Sequence, residues 1–369
     1  MKKGQYLWKD GHFVEVLPEK IPLPVTEFPG HINIAKNYAY IPYWCQWDQY
    51  GMGVFEGIPI YITRFGPAIF KLKEHIDRLL HSAKILGMDV KYDAQQLTAA
   101  IINLVIRNRL TEDGYVRPCI GHVEERLGLV TAGGKTSYIF GVMEGSPLGN
   151  KKNLSVEIAK TIRPHPASFP LDAKISGTYV NSAISRNEAE KNERDDAIML
   201  DWLGNVAEAT TANLFLVYPD GQVVTPRSDS ILRGITRETI MKLCCDMGIF
   251  ISEEYVRLND LLHAEEVFMC GSAAGIKSIS EMHFTTSNLE HLIKMQVLPR
   301  TFLLWFEKEA PDNMISEKKV MPEPGAKEET GLKLVAPKIS AQYFRATRGL
   351  IEKYYDWLTF VNEYWQNKK

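Results

Sequence analysis

The run AIMLDWLGNVAEATTANLF, residues 197–215, decides the fold of this chain. Its apolar stretches, separated by Asp-Trp-Leu-Gly, predict a strand, a tight turn and a second strand. That places Glu208 on a sheet rather than on a loop. About thirty residues before this second strand, KISGTYVNS opens on Lys174, and ILRGITRETI, residues 231–240, comes after it. One half of the chain therefore holds a candidate reactive amine, an acid and a candidate phosphate loop.

Each part has a chemical reason and an ordinary alternative. A lysine amine attacks an aldehyde only when neutral, a state favoured by desolvation or a nearby cation. Ala173, Ser176 and Gly177 would let the backbone around Lys174 lie close to a flat ring, whereas Lys151, Lys152 and Lys160 sit among polar residues and read as solvated. A pyridine ring drains electrons only if its nitrogen stays protonated, which requires a fixed acid, and Glu208 is the best candidate. Tyr179 could bond a ring hydroxyl. Taken singly, a lysine is a solvated surface group, a strand carboxylate is a sheet ornament and a tyrosine is core. Their company is what overturns those readings.

The phosphate needs amides and positive charge. Gly234 permits a sharp turn, Ile235 and Thr236 begin a helix, and Ile240, Leu243, Cys244 and Met247 continue its apolar period. A helix N-terminus offers N–H groups to an anion, although Thr236 alone would read as an N-cap. The small-residue turn CGSAA, residues 270–274, comes after the strand-like EEVFMC and adds amides, among them those of Ser272 and Ala273. Arg78, on the amphipathic helix of FKLKEHIDRLLHSAKILG, is either a charged clamp or a solvated helix-face residue.

VFEGIPIY, FKLKEHIDRLLHSAKILGM, YVRP, KISGTYVNS, the run of residues 197–215, ILRGITRE and EEVFMCGSAA occur in the order found in class IV pyridoxal-phosphate aminotransferases. Over about residues 50–280 the chain resembles that family, and within it the branched-chain-amino-acid aminotransferases. The resemblance implies a two-domain α+β fold of the D-amino-acid aminotransferase type, with pyridoxal 5'-phosphate as cofactor. It implies that Lys174 carries the cofactor as a Schiff base and shuttles the proton, that Glu208 pairs with the pyridine nitrogen and that Tyr179 bonds the ring hydroxyl. Arg78, Gly234, Ile235, Thr236 and Ser272 would hold the phosphate, and Leu232 would pack on the ring. Tyr115, with the amides of Ser272 and Ala273, would receive the substrate carboxylate. Phe55, Tyr50 and Arg117 would line the side-chain pocket, Tyr50 coming from the partner in a homodimer.

The activity so implied is transamination of branched-chain or related hydrophobic L-amino acids with 2-oxoglutarate, whose distal carboxylate could meet Arg117. A D-amino-acid transaminase, an amine transaminase, an aminodeoxychorismate lyase and, further off, a non-catalytic cofactor-binding scaffold are alternatives. Pro59 stands where the family usually has arginine, Ser272 where threonine is frequent, and Gly275 with Lys277 and Ser278 where an acid and a proline are usual. Glu144 and Pro147 stand where branched-chain enzymes often have aromatic residues, which implies a differently shaped pocket.

Composition is compatible with these readings. With 369 residues, 45% hydrophobic and 24% charged, the chain can bury two cores. A net charge of −2 disfavours nucleic acid or anionic membrane as partners. Five cysteines without a CxxC pair argue against disulfides and a zinc site. MKKGQYLWKDG has no apolar core behind its lysines and no run of eighteen apolar residues occurs, so a cytoplasmic protein without a membrane partner is expected. The expected domains are 1–143 and 154–369, joined by a loop at 144–153, with Lys174 in the second. YLWKDGHFVEV reads as strand, turn, strand, and helices are expected over 73–86 and 94–109. Insertions are expected near 18–42 and, as a charged surface excursion, near 284–338, before a helix-like pattern over 343–365.

Overall fold

The computed structural model describes residues 2–3, 5–15, 41–63, 66–129, 133–145, 151, 153–227, 229–299, 301–302 and 329–333. Nearly all of the 18–42 stretch, and the helix expected over 343–365, lie outside the described residues. The described residues form two compact units, one within Met1–Gly149 together with Ala173–Gly177, the other within Asn150–Asp172 and Thr178–Gly349.

Among the described residues, the first unit is an antiparallel sheet with three helices. In chain order it contains β1 (Lys2–Lys3), β2 (Tyr6–Lys9), β3 (His12–Glu15), α1 (Gln46–Tyr50), β4 (Gly53–Phe55), β5 (Ile58–Thr63), β6 (Gly66–Ile69), α2 (Leu72–Ile85), α3 (Ala94–Asn108), β7 (Gly114–His122) and β8 (Thr136–Glu144). The strands run β3-β2-β8-β7-β5-β6, with β1 beside β8 and β4 beside β7. The β2–β3 hairpin turns at Asp10 and Gly11, both at positive φ, the backbone that a two-residue turn matching strand twist requires. On α2, Leu72, His75, Ile76, Leu79 and Ala83 repeat at helical spacing and are all buried. Asp93 and Gln96 form a capping box that starts α3.

The second unit contains β9 (Asn153–Ile158), α4 (Tyr179–Lys191), β10 (Asp196–Leu200), β11 (Val206–Ala209), β12 (Asn213–Val217), β13 (Val223–Pro226), α5 (Ile235–Asp246), β14 (Ile251–Glu254), α6 (Leu258–His263), β15 (Glu266–Gly271), β16 (Gly275–Thr285), α7 (Thr286–Lys294) and β17 (Glu329–Lys333). Its strands run β11-β10-β9-β16-β15-β12-β13-β14, with β17 beside β16. β9 is parallel to β10 and β16, and β13 to β14. The central strands are apolar on both faces because both are covered. Leu214, Leu216, Val267 and Met269 enter one core, while Phe215, Val217, Phe268 and Cys270 enter a second core with Ile240 and Cys244 of α5. The rings of Phe215 and Phe268 stack with centroids 5.0 Å apart.

Two expectations are corrected. Lys174 lies on a segment, Ala173–Gly177, that groups with the first unit. The reason is backbone pairing: Ile175 bridges Val54, Phe55 N–H donates to the Lys174 carbonyl, and Gly177 N–H to the Gly51 carbonyl. Second, the chain after His283 is not all surface excursion, since β16 ends in it, α7 comes next, and β17 adds to the sheet. Phe284, Leu289, Leu292 and Leu298 are buried in the larger core. Leu289→Ala is therefore expected to lower unfolding free energy by about 3 kcal/mol. An unchanged denaturant midpoint would show that α7 adds nothing to that core.

Candidate active site

Within the first unit, α2 organises a charged group around the lysine segment. His75, Arg78 and Ser82 share one face of the helix at spacings of three, four and seven. Ser82 Oγ accepts from the backbone N–H of Lys174 at 2.9 Å. Arg78 donates to Glu56 twice, Nε to Oε1 at 2.5 Å and Nη2 to Oε2 at 2.9 Å, and His75 Nδ1 lies 2.7 Å from Oε2. Glu56 and His75 are wholly buried. Burial opposes ionisation of Glu56, but the charge of Arg78 and the hydrogen bonds of His75 and Arg78 outweigh it and hold the carboxyl well below the usual carboxylate range. Burial pushes the His75 pKa down; Glu56 opposes this, while the charges of Arg78 and Lys174 add to it.

Phe55 is the apolar centre of this group. Lys174 Nζ lies 5.0 Å from its ring centroid and the Arg117 guanidinium 4.6 Å. Arg117 Nη2 donates to the Tyr115 hydroxyl at 3.2 Å. Tyr50 ends α1, is 42% exposed, and its hydroxyl accepts from Gly128 N–H at 3.4 Å. Pro59, in place of a cation, is a buried strand residue of β5 opposite Tyr115. Glu144 is also accounted for by the fold, because its Oε1 accepts from the N–H and hydroxyl of Thr111 at 2.7 and 3.1 Å. Pro147 lies outside the described residues.

The second unit holds the acid and the helix end. Glu208, on β11, is buried, and its Oε1 lies 3.0 Å from Arg163 Nη2 and accepts from Leu232 N–H at 3.3 Å. Its Oε2 accepts from Asn213 Nδ2 at 3.0 Å. α5 begins after Gly234 with no side-chain cap, so the first-turn amides of Ile235 and Thr236 keep the orientation that suits an anion. The hydroxyls of Thr236 and Ser272 lie 3.4 Å apart, Ser272 and Ala273 forming the turn between β15 and β16. Tyr179 is the first residue of α4.

The residues expected from the sequence split by unit: Lys174, Phe55, Arg78, Tyr115, Arg117 and Tyr50 belong to the first, and Tyr179, Glu208, Leu232, Gly234, Ile235, Thr236, Ser272 and Ala273 to the second. Glu56, His75, Arg163 and Asn213 were not singled out. His75-x-x-Arg78 on one helix face was a readable signal for a shared partner, and Asn213 stands inside the quoted 197–215 run. Arg163, in TIRPHP, gives no local sign of burial. On the second unit the donors suit a pyridine ring carrying a phosphate: a carboxylate fixed by a guanidinium and two N–H donors, and a helix end without a side-chain cap, flanked by two hydroxyls.

A sequence profile of class IV amino-transferases matches residues 53–282. The branched-chain-amino-acid aminotransferase of Escherichia coli K12 is 32% identical over 284 residues, covering 75% of this chain and 85% of that protein. That of Pseudomonas aeruginosa is 35% identical over 238 residues, covering 63% and 77%. Among solved structures, the branched-chain aminotransferase of Thermoproteus uzoniensis with norvaline superposes with a TM-score of 0.68 at 30% identity, covering 82% of this chain and 98% of that one. The branched-chain amino acid aminotransferase of Thermobaculum terrenum, in its PLP-form, gives 0.66 at 26%, covering 76% and 87%. The chain belongs to the class IV aminotransferases. It is an enzyme of two α+β units, and among the described residues no helix is long and apolar enough to cross a membrane.

Proposed function

We propose that the chain catalyses pyridoxal-phosphate-dependent transamination between branched-chain or related hydrophobic L-amino acids and 2-oxoglutarate. The observation that carries this reading is the Phe55 ring, which has Lys174 Nζ and the Arg117 guanidinium within 5.0 Å of its centroid. Phe55 offers an apolar wall to a branched side chain, and Arg117 a guanidinium to the distal carboxylate of the oxo acid. Names of relatives and solved structures support the same substrate class.

When bound, pyridoxal phosphate supplies the electron sink for charge developing at the substrate Cα. The residues then divide the work. The Lys174 amine carries the cofactor, and then takes and returns the Cα proton. The carboxylate of Glu208 holds the proton at the ring nitrogen, and Tyr179 takes the ring hydroxyl. The α5 amides with Thr236 and Ser272 receive the phosphate, Gly234 providing the turn and Leu232 packing on the ring. Arg78, oriented by Glu56, supplies further positive charge for it. On the first unit Tyr115 receives the substrate carboxylate, and on the second the amides of Ser272 and Ala273 do so.

A homodimer is part of this proposal, with Tyr50 serving the partner's site. Its support is an exposed aromatic surface, Tyr43 at 66%, Trp44 at 54% and Tyr50 at 42%. The five cysteines are all free, which supports a reducing, cytoplasmic setting. Pro59 favours a second reading, a D-amino-acid or amine transaminase, because no cation stands at that point of β5. Glutamate formation from 2-oxoglutarate with valine, leucine, isoleucine, D-alanine or an aromatic amine separates the two. Turnover of the three branched L-amino acids is expected; turnover confined to D-alanine or the amine would overturn it.

A further inference from the structure

We infer that Asn213 and Arg163 are positioning residues, which fasten the Glu208 carboxylate to the 230–234 loop and so hold the acid and the phosphate-receiving end of α5 at one fixed spacing. This rests on the proposed pairing of Glu208 with the ring nitrogen of the cofactor.

Two separate ties join the same acid to the same loop. The Asn213 amide donates to Glu208 Oε2 at 3.0 Å and to the Leu232 carbonyl at 2.9 Å. Arg163 reaches Glu208 Oε1 with Nη2 at 3.0 Å and the Ser230 carbonyl with Nε at 3.2 Å, while its Nη1 donates to Ser182 Oγ at 3.1 Å. All three guanidinium nitrogens are thereby committed. Leu232 N–H closes the set on Glu208.

The surroundings leave little slack. Arg163, Ser182, Glu208, Asn213 and Ser230 are each 6% exposed or less. A Cβ on Gly234 would run into Asn213 Oδ1, so the loop passes over the amide where only glycine fits. The turn between Glu208 and Asn213 is itself pinned: Thr210 donates its hydroxyl to Asp196 Oδ1 at 2.6 Å, and Arg186 pairs with Asp196. A rigid cofactor has one distance between its ring nitrogen and its phosphate, and a scaffold that presets this distance binds it without reordering.

The test compares Asn213→Ala and the milder Asn213→Ser with Asn288→Ala, whose buried amide likewise donates to a main-chain carbonyl, that of Ile158. Equilibrium dialysis against pyridoxal phosphate, its visible absorption across pH, and kcat with KM are measured on each. Asn213→Ala is expected to weaken cofactor binding about tenfold to a hundredfold, as for a lost hydrogen bond to a charged group. Its absorption profile should shift with pH and its kcat fall while donor KM stays within about twofold. Asn213→Ser should show the same changes in smaller measure. Asn288→Ala should lower Tm and leave Kd and spectrum as in the wild type. Wild-type affinity and spectrum in both Asn213 variants, or equal changes in Asn288→Ala, would overturn the inference. A wild-type protein that takes up no pyridoxal phosphate would instead remove the assignment of Glu208 on which it rests.

Discussion

Lys174→Ala protein should lose transamination by on the order of 10^4-fold, the upper range for removal of a proton-transfer group. The fold should survive, because three ties of the lysine segment are made by the backbone: the Lys174 N–H to Ser82 Oγ, its carbonyl to Phe55 N–H, and the adjacent Ile175 to Val54. Alanine keeps all three. What it removes is the amine near Phe55. Stopped-flow absorbance of a single half-reaction, together with a melting curve, separates the two effects. A rate within tenfold of wild type would sink the assignment of Lys174; a Tm lowered by many degrees would show that the side chain also carries structure.

Glu56→Ala should cost the first unit about 3–5 kcal/mol, since removing one partner of a buried ion pair leaves the other charge uncompensated. Here the stranded groups are Arg78 and His75, and alanine leaves a gap at a site with no solvent exposure. The pH dependence of the intact protein carries the same signature. The Glu56 carboxyl is depressed in the folded state, so its contribution is complete above the ordinary carboxylate value of 4.5 and drains away as pH falls through its lower folded pKa. The depressed His75 acts in the same direction. The unfolded chain binds a proton near 6.5 that the folded chain refuses, so stability declines as pH falls below that value. Urea midpoints measured from pH 8 to pH 4 should therefore drop in two stages, the first near 6.5 smaller in a His75→Phe variant, where His122, whose pKa burial also lowers, still contributes. A midpoint that is flat from pH 7 to pH 5 would refute the buried neutral histidine.

What could be read in the sequence was whatever lies within one contiguous motif. The strand, turn, strand of residues 197–215 comes from local alternation and a glycine, and the structure has β10 and β11 there, with Gly204 at positive φ. The helices over 73–86 and 94–109 correspond to α2 and α3 for the same reason, since periodicity and caps are local. Arg78 could be seen on its helix, but the acid that orients it lies 22 residues away on the far side of two strands, and no spacing rule links them. Glu208 stood out as an acid on a strand, whereas Arg163 gave no signal because its burial depends on Ser182, Ser230 and Glu208 arriving from three other segments. The lysine segment illustrates the limit most directly. Its residues are contiguous with the second unit in sequence, and long-range pairing with Gly51, Val54, Phe55 and Ser82 ties them to the first.

That pairing bears on how the protein is made. A nascent chain that has emerged as far as Gly149 already carries β1 to β8, yet it lacks the five residues that bond to Ser82, Phe55 and Gly51. The bond to Ser82 alone spans 92 residues of chain. At synthesis rates of roughly 5–20 residues per second, the first unit waits a second or more with that edge uncovered. The segment that then pairs with this edge is the one bearing Lys174, so a product truncated before it is left with the edge unpaired as well as without its reactive amine.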